Sequence, residues 1–249
     1  MGILDGKVAI VTGGGQNLGR AEAIALAKEG AKVTICGRRQ HTLDKVVEEI
    51  AGFGGEALAV VCDVGKRDQV DKVVEATVQK FGGVNILVNN AQTTFQATAL
   101  EDWTEEMHRA VWESGYLGSV HFMMACLPYL KENHGRIINT ISGVGYGNVW
   151  GFVGYGATKE AIRALTRTAA REWGKYGIRV HALAPVARTS EFDGKLSREQ
   201  EEQILSTIPL HEWGRPEEDI GRVVVFLSGP DSAYMTGSPI VVDGGACII

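Results

Sequence analysis

Short continuous apolar runs alternate along this chain with longer stretches in which apolar residues recur every three or four positions. The first run, Lys7–Val11, has no polar face, the pattern of a strand buried on both sides in a parallel sheet. Six further runs predict strands at Lys32–Cys36, Ala57–Cys62, Val84–Asn89, Arg136–Ile141, Ile178–Ala184 and Pro239–Val242. Between them the helical period predicts a helix from a glycine-rich turn to about Glu29, stopped by Gly30. Further helices are predicted over about Thr42–Ala51, Arg67–Phe81, Trp103–Lys131, Tyr155–Trp173 and Pro216–Leu227. Strand–helix alternation of this kind predicts an α/β fold: a doubly wound, Rossmann-type parallel sheet of seven strands with helices on both faces. No linker or repeat interrupts it, so residues 1–249 read as a single domain. The polar, charge-rich segment over about 190–211 does not suit a core and is expected to form a mobile helical lid.

Candidate chemistry sits at two places. The turn Thr12–Gly19 (TGGGQNLG) joins the first strand to the first helix, where a pyrophosphate would meet the free N–H groups of a helix N-terminus. The strict G-x-G-x-x-G spacing fails because Leu18 stands at the third glycine, although Gly13, Gly14, Gly15 and Gly19 leave room for a wider turn. Later, Tyr155 and Lys159 lie at i and i+4, on one face of the predicted helix. An ammonium beside a phenol favours the phenolate. Moving a tyrosine down by roughly three units from ~10 requires about 4 kcal/mol, of which one lysine supplies part.

In this order, these motifs resemble the short-chain dehydrogenase/reductase family over essentially the whole chain. TGGGQNLG is similar to that family's T-G-x-x-x-G-x-G loop, with Asn17 at the middle glycine; asparagine tolerates left-handed backbone better than most residues. Asp63-Val64 matches the adenine-contacting pair, and Asn89-Asn90-Ala91 matches N-N-A-G with Gln92 in place of the glycine. Ser142 precedes Tyr155 by 13 positions, as the family's catalytic serine precedes Y-x-x-x-K, and Thr236-Gly237 with Val242–Gly245 matches its closing strand. The resemblance implies a nicotinamide cofactor held by Gly13, Gly15, Asn17, Leu18, Gly19, Asp63, Val64, Asn90 and Ala91, with a cofactor half over about 1–130 and catalytic elements over about 131–249. It implies that Ser142 grips the reacting oxygen, Tyr155 exchanges the proton, and Lys159 lowers the tyrosine pKa while binding the nicotinamide ribose. After the second strand, Gly37 stands where an acidic residue would accept the ribose 2′-OH, and Arg38 follows, so NADP(H) is expected rather than NAD(H).

Two departures touch the catalytic machinery. Gly115 replaces an asparagine that in the family helps hold a water relay, so the relay is expected to use backbone or water. Pro185-Val186 replaces P-G; backbone groups there and the hydroxyl of Thr189, or of Ser190 in a shifted register, are the candidates for the nicotinamide amide. Gln92, Trp150, Phe152 and Phe192 are expected to line the substrate pocket. The stretches around Gln92, Gly115, Ser142–Asn148 and Lys159–Arg163 are further similar to bacterial bile-acid hydroxysteroid dehydrogenases of the 12α type. A 3-oxoacyl thioester is the rival substrate, and a nucleotide-binding protein with little catalysis the rival class.

Composition narrows the partners. A net charge of -5 argues against nucleic acid. Cys36, Cys62, Cys126 and Cys247 show no metal-ligand spacing, no metal is expected, and reduced cytosol fits them. No signal peptide or membrane-length apolar run is read, so a cytoplasmic enzyme is expected, and the resemblance implies a homotetramer.

Overall fold

The computed structural model describes residues 2–147, 149–190, 194 and 196–247. Its centre is a seven-stranded sheet of β1 (Val8–Thr12), β2 (Lys32–Gly37), β3 (Ala57–Val61), β4 (Ile86–Asn89), β5 (Arg136–Thr140), β6 (Arg179–Pro185) and β7 (Pro239–Val242). The strands run parallel, as the apolar runs predict, in the order β3-β2-β1-β4-β5-β6-β7, and strand order reverses between β1 and β4. The ends of those two strands therefore open the crevice in which this architecture places ligands.

Helices cover both faces. On one, α1 (Asn17–Lys28), α2 (Gln40–Gly52) and α9 (Arg222–Ser228) close a core built around Ile24, Leu26, Val33, Ile35, Val88 and Ile138. On the other, α3 (Arg67–Phe81), α5 (Gly118–Glu132) and α7 (Val153–Trp173) close a second core around Ile10, Val73, Leu87, Phe122 and Ile137. Alternate residues of one strand thus feed opposite layers, as in Ile137 and Ile138 of β5.

The structure departs from the pattern at the predicted helix over 103–131. It is broken into a 3-10 turn Leu100–Asp102, α4 (Glu105–Trp112), a wide π-type turn Glu113–Leu117, and α5. The backbone is closely packed here: a Cβ on Gly115 would lie 2.6 Å from Thr158 Cγ2, and one on Gly118 2.9 Å from Val64 Cγ2. A short helix, α6 (Gly143–Gly147), follows β5 where none is predicted. In the segment expected as a lid, α8 (Arg198–Ser206) starts at a capping box in which Ser197 and Gln200 bond each other's backbone N–H, at 3.2 and 2.9 Å. Among the described residues no helix is long and apolar enough to cross a membrane.

Candidate active site

The crevice is assembled by Thr12, the last residue of β1. Its hydroxyl accepts the N–H groups of Asn90 and Ala91, each at 3.0 Å, and Asn90 Nδ2 donates to the Thr12 carbonyl at 3.0 Å. The glycine-rich turn and the turn after β4 are thereby locked together. A Cβ on Gly19 would sit 2.4 Å from the Gly13 carbonyl, and one on Gly15 2.6 Å from Thr42 Oγ1, so side chains there would fill the cradle. Asn17 adopts φ 50°, the left-handed backbone that its place at a glycine position requires. Helix α1 starts with no side-chain cap and no acidic residue in its first turn, which leaves its N-terminal end suited to an anion.

One end of the crevice is lined by Gly13, Gly15, Arg38, Arg39, Asp63 and Val64. Asp63 is held by its N–H to Gln69 Oε1 (2.8 Å) and by accepting the Gly65 N–H (3.0 Å). Arg38 is exposed, and Arg39 donates to Gln16. The other end is lined by Leu18, Asn90, Gln92, Tyr155, Lys159 and Thr189. There Lys159, only 3% exposed, donates to the Thr140 carbonyl at 2.7 Å, and its Nζ lies 5.3 Å from the centre of the Tyr155 ring. Burial pushes the lysine down to about 7, opposed by the charge of Glu22. Ser142 lies two residues beyond the end of β5 and accepts the Val144 N–H at 3.2 Å; it stands between the strand end that receives Lys159 and α6, which packs on α7 near Gly156.

Several expectations are redirected by this geometry. Val186 N–H donates to the Val242 carbonyl at 2.9 Å, where β6 and β7 pair, so that backbone donor is taken. Its side chain lines a different hollow, with Leu210 and Phe226, and Pro185 ends β6 opposite Val242. Thr189 faces the Tyr155 end of the crevice, whereas Ser190 donates from N (3.2 Å) and Oγ (2.6 Å) to Asn17 Oδ1. Asn17 thus ties Ser190 to the glycine-rich turn. Its replacement by glycine is expected to keep the turn and weaken nucleotide binding about three- to tenfold, from the loss of roughly 1 kcal/mol of hydrogen bonding; fluorescence titration of the dissociation constant checks this.

Trp150, expected at the substrate pocket, is 71% exposed, while Phe152 is half-buried on a loop pinned by the Thr98 N–H to the Gly151 carbonyl at 3.0 Å. Phe192 lies outside the described residues. At Gly115 the expected backbone or water substitute is joined by a side chain. A Cβ there would lie 2.8 Å from Gln92 Cδ and 2.9 Å from its Nε2, so the Gln92 amide rests on the bare glycine. Both polar atoms of that amide are buried without a hydrogen-bond partner among the described residues. The placements of Thr12, Thr140 and Glu22 are not evident from the sequence. Thr12 lies within the glycine motif, but the other two carry no local signal.

The chain is similar to known proteins over nearly its whole length. The family model described as enoyl-(acyl carrier protein) reductase matches residues 13–247. The chain is 42% identical to a 12alpha-hydroxysteroid dehydrogenase of Clostridium sp., over 98% of each chain. It is 38% identical to a 3-oxoacyl-[acyl-carrier-protein] reductase of Thermotoga maritima, over 98% of this chain and 99% of that one. A crystal structure from Sinorhizobium meliloti 1021, assigned to the short-chain alcohol dehydrogenases, superposes with a TM-score of 0.92 at 33% identity, covering 98% of this chain and 97% of the other.

Proposed function

Because the chain belongs to the short-chain dehydrogenase/reductase family, an oxidoreductase family acting on CH–OH groups, we propose that it transfers a hydride between NADP(H) and a secondary alcohol or ketone on a bulky apolar substrate such as a hydroxysteroid. The observation that carries this reading is the convergence of Tyr155 and Lys159 on the strand-end crevice that also holds the glycine cradle. The cradle fits a dinucleotide, since Gly15 and Gly19 have no room for a Cβ and α1 begins uncapped. Bound there, the nicotinamide supplies the hydride donor or acceptor.

The chain's own groups supply the rest. Tyr155 donates a proton to the carbonyl oxygen in reduction and removes it from the alcohol in oxidation. Ser142 hydrogen-bonds the same oxygen and stabilises its developing negative charge. Lys159, fixed by Thr140, favours the phenolate electrostatically and reaches the ribose. The Gln92 amide, resting on Gly115, supplies the polar group that orders water behind the lysine, and Thr189 holds the nicotinamide amide. Phe152 contributes apolar surface to the substrate side. The 3-oxoacyl reductases among the relatives support the rival substrate, an acyl thioester.

Arg38, exposed at the ribose end with Arg39 beside it, favours a 2′-phosphate. We expect kcat/KM to favour NADPH over NADH, and Arg38→Asp to cost about 10- to 100-fold with NADPH, the loss of one charge-assisted contact. A preference of the unaltered protein for NADH would refute the assignment. Assays of NADPH oxidation with steroid ketones, 3-oxoacyl thioesters and small ketones distinguish the substrates, and nucleotide binding without turnover on any of them would favour a binding protein.

A further inference from the structure

Ser142 is bonded twice to the short helix that follows it. Its Oγ accepts the Val144 N–H at 3.2 Å, and its carbonyl accepts the Gly145 N–H at 3.1 Å, so the serine moves with α6. That helix is Gly-Val-Gly-Tyr-Gly, little more than one turn and three-fifths glycine. Such a segment does not hold its shape alone, and its neighbours must hold it. Helix α7 supplies two of them. Arg163 Nε donates to both carboxyl oxygens of Glu160, at 3.1 and 2.9 Å, and its Nη2 donates to one of them. The carboxylate lies against the bare backbone of Gly145, where a Cβ would come within 2.8 Å of Glu160 Oε1. The guanidinium carbon lies 4.9 Å from the centre of the Tyr146 ring, a cation–π contact. Tyr146 also packs against Ile141, Ile162, Ala182 and Ala184. Its hydroxyl is buried without a hydrogen-bond partner among the described residues, so the ring is the part that is held. At the start of α6, Cys247 Sγ donates to the Gly143 carbonyl at 3.6 Å.

We propose that Arg163, held in place by Glu160, is a positioning residue that clamps α6 through the ring of Tyr146 and so sets the Ser142 hydroxyl for its work beside Tyr155. This rests on the role given to Ser142 above. Tyr155, Glu160 and Arg163 all stand on α7, so the clamp refers the serine to the same rigid element that carries the tyrosine. The Glu160–Arg163 pair is partly exposed, and an ion pair so close to solvent adds little to stability. Its effect lies in where it keeps the guanidinium. Without the clamp, α6 retains the Cys247 contact and the apolar packing of Tyr146, and the serine is held less closely. A displacement of about 1 Å at a group that must meet the reacting atom can cost on the order of 10²-fold in rate.

Amide hydrogen exchange of the intact protein tests the clamp without reference to turnover. Exchange over residues 143–147 should be about tenfold faster in Arg163→Ala and in Tyr146→Leu than in wild type, with the interior of α7 unchanged. Tyr146→Phe keeps the ring and should exchange as wild type does. Unaltered exchange at those amides in Arg163→Ala would overturn the proposal whatever the enzyme's substrate. In turnover, Arg163→Ala should lower kcat about tenfold while KM and the nucleotide dissociation constant stay within about threefold, and Arg163→Lys should recover part of the loss. In a Ser142→Ala background the same Arg163→Ala change should cost less than about twofold, because the group it positions is already gone. A loss that persists there at full size would show an effect that bypasses the serine, and would overturn the proposal. Ser142→Ala with the kcat of wild type would refute the serine's own role and the proposal with it, an outcome told apart from failure of the clamp by the faster exchange.

Discussion

Tyr155→Phe should lose about 10³-fold or more in kcat while its nucleotide dissociation constant stays within about threefold of wild type. The ring that lies beside Lys159 is preserved in this variant and only the exchangeable proton is removed. General acid–base groups commonly contribute about 10² to 10⁴ in rate, so the loss should fall in the upper part of that range when no neighbouring group can take over. Stopped-flow or steady-state assays of NADPH oxidation give kcat, and fluorescence titration gives the binding constant. Turnover within about tenfold of wild type would remove Tyr155 from its role.

The second large effect lies at the contact of Gln92 with Gly115. An asparagine at 115 would place its Cβ 2.6 Å from Thr158 Cγ2 and 2.8 Å from Gln92 Cδ, closer than packed carbons tolerate. Overpacking of this kind costs about 1–3 kcal/mol, or roughly 2–10 °C in Tm for a chain of this size. Because the strain falls on the turn facing α7, kcat should drop about 10- to 100-fold. Gln92→Gly alone should lose about tenfold, having removed the buried amide. The double variant Gln92→Gly/Gly115→Asn should recover part of both losses, since an amide returns without the collision against Gln92, while the Thr158 contact remains. Thermal melts and kcat for the four proteins form a double-mutant cycle, and strictly additive losses would show that the two positions act independently.

The layout of the sheet is legible in the chain because parallel strands are buried on both faces and therefore appear as apolar runs, as Val8–Val11 and Ile86–Val88 do. The catalytic pair is legible for an equally local reason, since i and i+4 share a helix face. What the chain conceals are contacts between distant segments. The break at Glu113–Leu117 keeps its helical hydrophobic pattern, and the close approach of Thr158 and Gln92 to Gly115 comes from distant segments. Glu22 reads as an ordinary helical glutamate until the sheet covers it, and Thr140 reads as the end of a strand until Lys159 reaches over that end. Val186 shows the converse: its place in the motif suggests the nicotinamide, but the pairing of β6 with β7 takes its N–H. Asn17 is the case in which a departure from the motif could be read correctly from backbone preference alone, although its bond to Ser190 could not.

The claim beneath all of this is that a buried lysine makes one phenol acidic. Absorbance at 295 nm, followed through a pH titration of the NADP⁺-bound protein and of its Tyr155→Phe variant, tests it directly. The wild-type protein should show one tyrosinate forming well below the ordinary ~10, absent from the variant. Superimposable titrations of the two proteins, with every phenol ionising near or above ~10, would contradict the account.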